Sequence, residues 1–233
     1  MTASTDQSDS RDQEKQIAAR AAVELVQAGS IVGLGSGSTS TYAVRFLSER
    51  VRDGLKIVGI PTSLQTQHLA EQLAIPLTTL DEHPAIDIDI DGADEIDPQL
   101  NLIKGGGGAF LREKIIASVS RRFIVIGDSA KQVHRLGKFP LPVEVIPFAQ
   151  ALVKTKIERL GAQVKLRQYA YGNPYVTDEG HHILDCTFGE IADPAVLAQK
   201  LCNIPGVVEH GLFIGMAEVA LLGKDGSVVQ IRR

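Results

Sequence analysis

Apolar residues along this chain switch repeatedly between helical and strand spacing, and the switches outline its architecture. Ile17, Ala21, Leu25 and Ala28 recur at helical spacing and are followed by Gly29, a helix stop. The run IVGL at 31–34 then reads as a short buried strand feeding the loop GSGSTS. Ala43, Phe46, Leu47 and Val51 return to the helical period. KIVGIPTS from Lys56 predicts a strand stopping at Pro61, and residues 64–74 predict a further helix. A strand over IDIDID at 86–91, a helix over 109–120 and a strand over RFIVIGDS at 122–129 follow. Such alternation implies a parallel sheet covered by helices.

The rhythm changes after LGKFPLP at 136–142. VEVI (143–146) predicts a strand, 148–160 a helix and QVKLR (163–167) a strand. HHILDCTF (181–188) is a strand after the turn DEG at 178–180. Asp193 and Pro194 open a helix as N-cap acid and first-position proline, and VVEHGLF (207–213) closes the set. That βαββαβ order is the split-βαβ or ferredoxin-like motif. The last strands, AEVALLG and VVQIRR, are expected to return to the first sheet. The fold class is therefore α/β: a Rossmann-like open parallel sheet domain with a second, smaller ferredoxin-like α+β domain. Residues 1–14 read as a disordered N-terminal arm, 15–140 with 216–233 as the Rossmann-like domain, and 141–215 as the ferredoxin-like domain.

Composition narrows the function classes. With 233 residues the chain can bury one substantial core plus a satellite. A net charge of -4 disfavours nucleic acid or an acidic membrane as partner, so an anionic ligand must meet locally placed cations. Trp is absent and aromatics are few, which leaves no stacking platform for single strands. No apolar run approaches the ~20 residues of a membrane span. The first 15 residues hold four acids and no apolar core, unlike a secretory or transit peptide. Cys186 and Cys202 form no CxxC pair and no disulfide framework. A cytoplasmic setting fits these features.

Candidate chemistry concentrates in DGADEIDPQLNLIKGGGGAFLREK at 91–114. Four consecutive glycines make a poor helix or strand interior, and they suit a place where backbone approaches a ligand closely. Asp91 and Asp94 precede them at the end of a predicted parallel strand, where open sheets bind ligands; N-cap and turn duty is the competing reading. Lys104 stands at their edge, and a lone lysine there is also ordinary surface charge. Glu113 lies off the apolar stripe Ile115, Ile116 and Val119 of the next helix, so it either enters the cleft or sits in solvent as a helix-start acid.

The loop from Gly33 to Thr39 follows a strand and opens a helix, making either a phosphate cradle or a plain tight turn. It satisfies neither the dinucleotide fingerprint nor Walker A. The hydroxyls of Ser36, Ser38 and Thr39 suit a terminal phosphate ester. Asp87, Asp89 and Asp91 imitate the start of a calcium loop, but the required closing Glu falls on Pro98. Asp87 and Asp89 are expected at a sheet face near an edge or interface. The histidines show no zinc spacing, and His181 and His182 are expected on an exposed strand. No metal site is expected.

Taken together, GSGST at 35–39, DGADEID at 91–97, KGGGGAFLREK at 104–114, DSAKQVHRLGKFPLPVEV at 128–145 and IPGVVEHGLF at 204–213 resemble the type A ribose-5-phosphate isomerase family. The likeness runs from about residue 15 to the end. AYGNP at 170–174 looks like an insertion in a surface loop of the second domain. The resemblance implies interconversion of ribose 5-phosphate and ribulose 5-phosphate without metal or redox cofactor. It implies Glu113 as the base moving a proton between C1 and C2, with Lys104 stabilising the enediolate. Asp91 and Asp94 would contact sugar hydroxyls, Asp91 helping ring opening. Ser36, Gly37, Ser38, Thr39, Gly92, Ala93, Gly105, Gly106, Gly107 and Lys131 would complete the binding site for a pentose 5-phosphate, in a homodimer or homotetramer. A sugar-phosphate deaminase, a coenzyme A transferase with a glutamate nucleophile, and a non-catalytic sugar-phosphate sensor remain as alternatives.

Overall fold

A computed structural model describes residues 3–232, with side chains from residue 10 onward. The elements run in the order α1 (Ala3–Val23), β1 (Ile31–Leu34), α2 (Ser38–Arg52), β2 (Val58–Pro61), α3 (Leu64–Gln72) and β3 (Ile88–Gly92). They continue with β4 (Glu95–Ile96), β5 (Leu102–Ile103), α4 (Phe110–Ser118), β6 (Phe123–Asp128), β7 (Leu141–Val145) and α5 (Gln150–Glu158). The chain closes with β8 (Gln163–Leu166), β9 (His182–Thr187), α6 (Pro194–Cys202), β10 (Val207–His210), β11 (Leu212–Phe213), β12 (Val219–Lys224) and β13 (Ser227–Arg232).

A six-stranded sheet has the order β13-β12-β6-β3-β1-β2, parallel except for β13 against β12. A separate four-stranded antiparallel sheet, β10-β7-β9-β8, carries the βαββαβ connection expected from the sequence. A third, three-stranded sheet, β11-β5-β4, was not legible in the apolar pattern, because strands of two residues show no period. It divides the single strand expected over 207–213 into β10 and β11 at Gly211. A Cβ at Gly211 would lie 2.2 Å from the Lys104 carbonyl oxygen, so only glycine lets these two segments cross.

Strand alternation decides which layer each β3 residue enters. Ile88 and Ile90 pack with Ile124 and Ile126 of β6 into the core under α1 and α2. Asp89 and Asp91 therefore face the opposite layer, on the side of α4, and both are fully buried. The expectation that Asp89 marks an edge or interface is overturned, since β3 is flanked by β1 and β6 in the middle of the sheet. Asp87, just before β3, accepts the Ile31 N–H at 2.8 Å and tethers the start of β1.

Three further expectations are corrected. The polar stretch expected as a disordered arm forms the start of α1 from Ala3 onward; residues 1 and 2 lie outside the described residues. Its anchors are Asp12, which accepts from the Tyr42 hydroxyl at 3.1 Å, and Glu14, which accepts from the Ser129 N–H at 2.9 Å. The buried face of α1 is Ala18, Ala19, Ala22 and Val23 rather than the stripe through Ile17. Small side chains win there because the helix lies close on the sheet: a Cβ at Gly223 of β12 would sit 2.0 Å from the Glu14 carbonyl oxygen. His181 and His182 are half-buried, their Nδ1 atoms 3.0 Å from Glu144 and 2.7 Å from Gln150.

Candidate active site

The carboxyl ends of β1 and β3 meet where the chain leaves β1 toward β2 on one side and β3 pairs with β6 on the other. Ligands of open α/β sheets bind at such a point. Here the first loop, the segment after Asp91 and the glycine run converge on a small cleft of about 100 Å³. Its lining comprises Ser36, Gly37, Ser38, Thr39, Gly92, Ala93, Asp94, Lys104, Gly105, Gly106, Gly107, Glu113 and Lys131. Every residue expected to bind substrate is thus on this wall except Asp91, which stands behind it.

Asp91 organises the wall. Its Oδ1 accepts from the Ser36 N–H at 3.0 Å, the Ser40 hydroxyl at 2.9 Å and the Gly92 N–H at 2.7 Å. Its Oδ2 lies 3.1 Å from the Lys104 ammonium. A Cβ at Gly35 would collide with this carboxylate at 2.2 Å, which explains the glycine in the first loop. Ser36 departs from expectation too. Its hydroxyl is spent on Thr62, Ser63 and Thr66 at 2.7–3.1 Å, so it ties the loop to the start of α3. The first N–H groups of α2, beginning at Ser38, remain at the cleft with the positive end of the helix dipole.

Lys104 follows β5, and its N–H donates to the Gly211 carbonyl at 2.9 Å, so the small third sheet sets its position. The ammonium lies 3.0 Å from Glu113 Oε2 and 3.1 Å from Asp91 Oδ2, and it also donates to the Gly92 carbonyl. Burial opposes its charge, but the Asp91 and Glu113 carboxylates outweigh that and raise its pKa above the ordinary value. It stays a cation.

Glu113 sits in the first turn of α4 and is 5% exposed. Burial pushes its pKa up to about 8, the Asp91 charge adds to the rise, and Lys104 opposes it. Ile115, expected in the α4 core stripe, is instead 43% exposed, while Ile116 is buried. Behind Glu113, Asp89 is also pushed well above the carboxylate range, by burial first and then by the Asp91 charge.

Three of the four glycines are required by their surroundings. A Cβ at Gly105 would meet the Phe110 ring at 2.5 Å, one at Gly106 the Asp94 carboxylate at 2.7 Å, and one at Gly108 the Tyr175 hydroxyl at 2.4 Å. Gly107 has open space around it. Asp94 accepts the Gly106 N–H at 2.7 Å and so holds the loop from the cleft side. Lys131, in the turn after β6, makes no ion pair among the described residues. It stands as a cation at the cleft. Arg167 and Tyr175, which contact the glycine run from outside, carry no motif and escaped the sequence reading.

A roomier groove between α3 and α4 carries Glu71, Glu82 and Glu179, with Arg112 bound to Glu179 at 2.5 Å. Its acids would repel an anion. Among the described residues, the glycine-walled cleft combines cations, open N–H groups and a carboxylate.

The family model of ribose 5-phosphate isomerase A (phosphoriboisomerase A) matches residues 58–227. A ribose-5-phosphate isomerase A of Roseiflexus castenholzii is 54% identical over 215 residues, covering 91% of this chain and 92% of the relative. One of a Synechococcus species is 50% identical over 227 residues, covering 96% and 99%. Among solved structures, the ribose 5-phosphate isomerase A of Methanocaldococcus jannaschii superposes with a TM-score of 0.91 at 42% identity, covering 94% of this chain and 98% of that one. A D-ribose-5-phosphate isomerase in complex with phospho-erythronic acid gives 0.93 at 40% identity, covering 96% and 99%.

Proposed function

Because this chain belongs to the ribose 5-phosphate isomerase A family, we propose that it interconverts D-ribose 5-phosphate and D-ribulose 5-phosphate through an enediolate, with Glu113 as proton carrier. The observation that carries the mechanism is the buried Glu113–Lys104 pair, 3.0 Å apart on the wall of a cleft that also holds the α2 N-terminus and Lys131.

In the open-chain aldose, the ionised Glu113 removes the proton on C2. The electrons move through the C1–C2 bond onto the C1 oxygen, giving an enediolate beside the Lys104 ammonium. Glu113 then returns the proton to C1 while the C2 hydroxyl proton passes to the C1 oxygen, which leaves an alcohol at C1 and the ketone of the product at C2. One carboxyl suffices, since its two oxygens can serve adjacent carbons. Its raised pKa makes the carboxylate a stronger base, which favours abstraction next to a carbonyl. Lys104 supplies charge where charge develops, in a site shielded from water.

Asp91, with no face on the cleft, contributes by holding Lys104 and the Ser36 N–H. Asp94 meets sugar hydroxyls. Lys131 and the N–H groups at 38–39 hold the phosphate, whose binding fixes the reacting carbons near Glu113. The proposal extends to service in the non-oxidative pentose phosphate branch, to a cytoplasmic location, and to a homodimer or homotetramer.

The test is a coupled assay of ribose 5-phosphate isomerisation with a chelator present, on the parent and on Glu113→Gln. The parent should turn over unaffected by chelator. The variant should lose about 10²–10⁴-fold in kcat and still bind phospho-erythronic acid. Near-normal turnover by Glu113→Gln removes it as the proton carrier.

A further inference from the structure

The glycine run is held from outside by the antiparallel-sheet half of the molecule. Arg167 directly follows β8, and its Nη1 donates to the Gly105 carbonyl at 2.8 Å and to the Gly106 carbonyl at 3.2 Å. The same guanidinium is fixed by Asp185 of β9, at 3.0 Å from Nε and 2.5 Å from Nη2. Tyr175 donates its hydroxyl to the next carbonyl, Gly107, at 3.2 Å. Its ring lies 5.9 Å from the Arg167 guanidinium and 5.1 Å from the Tyr169 ring. Three successive carbonyls are thus taken from one side by two side chains.

Tyr175 arrives there through the segment that reads as a surface insertion. The excursion through AYGNP closes on itself, with Tyr169 N–H donating to Asn173 at 2.9 Å, and brings Tyr175 N–H back to the Arg167 carbonyl at 2.9 Å. Further on, Asp178 accepts the Leu64 N–H at the start of α3 at 2.9 Å, and Glu179 pairs with Arg112 of α4. The segment spans from the second sheet to both helices beside the cleft.

We propose that Arg167, assisted by Tyr175, is a positioning residue of the isomerase. By holding the carbonyls of Gly105, Gly106 and Gly107 outward, it fixes the course of this glycine loop along the cleft, where the Gly106 N–H in turn holds the Asp94 carboxylate toward the substrate. A run of glycines has no side chains to fix its conformation and samples positive φ freely; Gly105 and Gly108 occupy it here, at φ 107° and 84°. An external clamp supplies the order that the loop's own sequence lacks, and preorganisation of this kind lowers the ordering cost of binding. The guanidinium suits the task because a fixed fork can serve two carbonyls and a carboxylate at once.

The inference rests on the isomerase reading, and the two fail in different ways. The loop and the Asp94 it holds line the cleft around substrate and enediolate alike, so loosening the loop should raise KM more than it lowers kcat. Arg167→Met should raise KM for ribose 5-phosphate at least tenfold with kcat within threefold of the parent. Tyr175→Phe, which removes one hydroxyl from a half-buried ring, should raise KM about threefold. Arg167→Lys, which cannot span two carbonyls and Asp185, should fall near Arg167→Met. Should Arg167→Met not fold, Tyr175→Phe and Arg167→Lys decide. Unchanged KM in these variants, or a fall in kcat alone, overturns the positioning role while leaving Glu113 in place. Absence of isomerase activity in the parent overturns the underlying reading instead.

Discussion

Replacing Glu113 by Gln should make the protein more stable, and the gain should depend on pH. The parent carboxyl is buried, and its pKa is raised from 4.5 to about 8. Below pH 4.5 the group is neutral in folded and unfolded states alike and contributes nothing. Between 4.5 and about 8 the unfolded chain ionises while the folded one keeps its proton, so parent stability falls as pH rises. Above about 8 both states are ionised and the penalty is complete. At ~1.4 kcal/mol per pH unit the ceiling is about 5 kcal/mol, and relaxation of the site should leave about 2–3 kcal/mol. For a chain of this size each kcal/mol moves Tm by about 2–4 °C. Calorimetry should therefore show Glu113→Gln melting about 5–10 °C above the parent at pH 8.5 and level with it at pH 4.5. An equal gain at both pH values would mean that packing, not ionisation, is responsible. A loss at pH 8.5 would show the Lys104–Glu113 pair to be net stabilising and refute the reasoning. The same substitution removes the proposed base, so activity and stability trade against each other at one residue.

Other outcomes follow from the same geometry. The parent's kcat/KM should climb about tenfold per pH unit below Glu113's pKa, levelling near pH 8; a flat profile from pH 6 to 9 would contradict a raised pKa on the proposed base. Lys104→Met should lose about 10²–10³-fold in kcat. It should also cost about 3–5 kcal/mol in denaturant unfolding, because Asp91 is left buried without its cation; an undisturbed midpoint would refute that. Gly211→Ala should destabilise by about 1–3 kcal/mol and lower activity by displacing Lys104, since its Cβ would press on the Lys104 carbonyl at 2.2 Å. Normal stability and turnover in that variant would separate the third sheet from the active site.

The N-terminal arm shows where local reading stopped. Its polar composition suggests a free tail, yet α1 begins at Ala3 and is anchored through Asp12 and Glu14 to residues far along the chain. Partners at such separation leave no periodic trace. The same holds for Arg167, whose two carbonyl contacts lie 62 and 61 positions away.

By itself the sequence determined the alternation of helix and strand, the βαββαβ unit, and the grouping of Asp94, Lys104, the glycines and Glu113 in one chemical neighbourhood. These are local properties: hydrophobic period, turn chemistry and a short spacing suffice to read them. Only the tertiary structure decided that Asp91 stands behind the wall and not on it, and that Asp89 is a fully buried acid in mid-sheet. It alone decided that Ser36 spends its hydroxyl on the α3 start, that the two-residue strands β5 and β11 aim Lys104, and that Arg167 and Tyr175 clamp the glycine loop. Burial and hydrogen-bond partners come from segments distant in the chain, and the pKa of a carboxyl depends on which of them surround it.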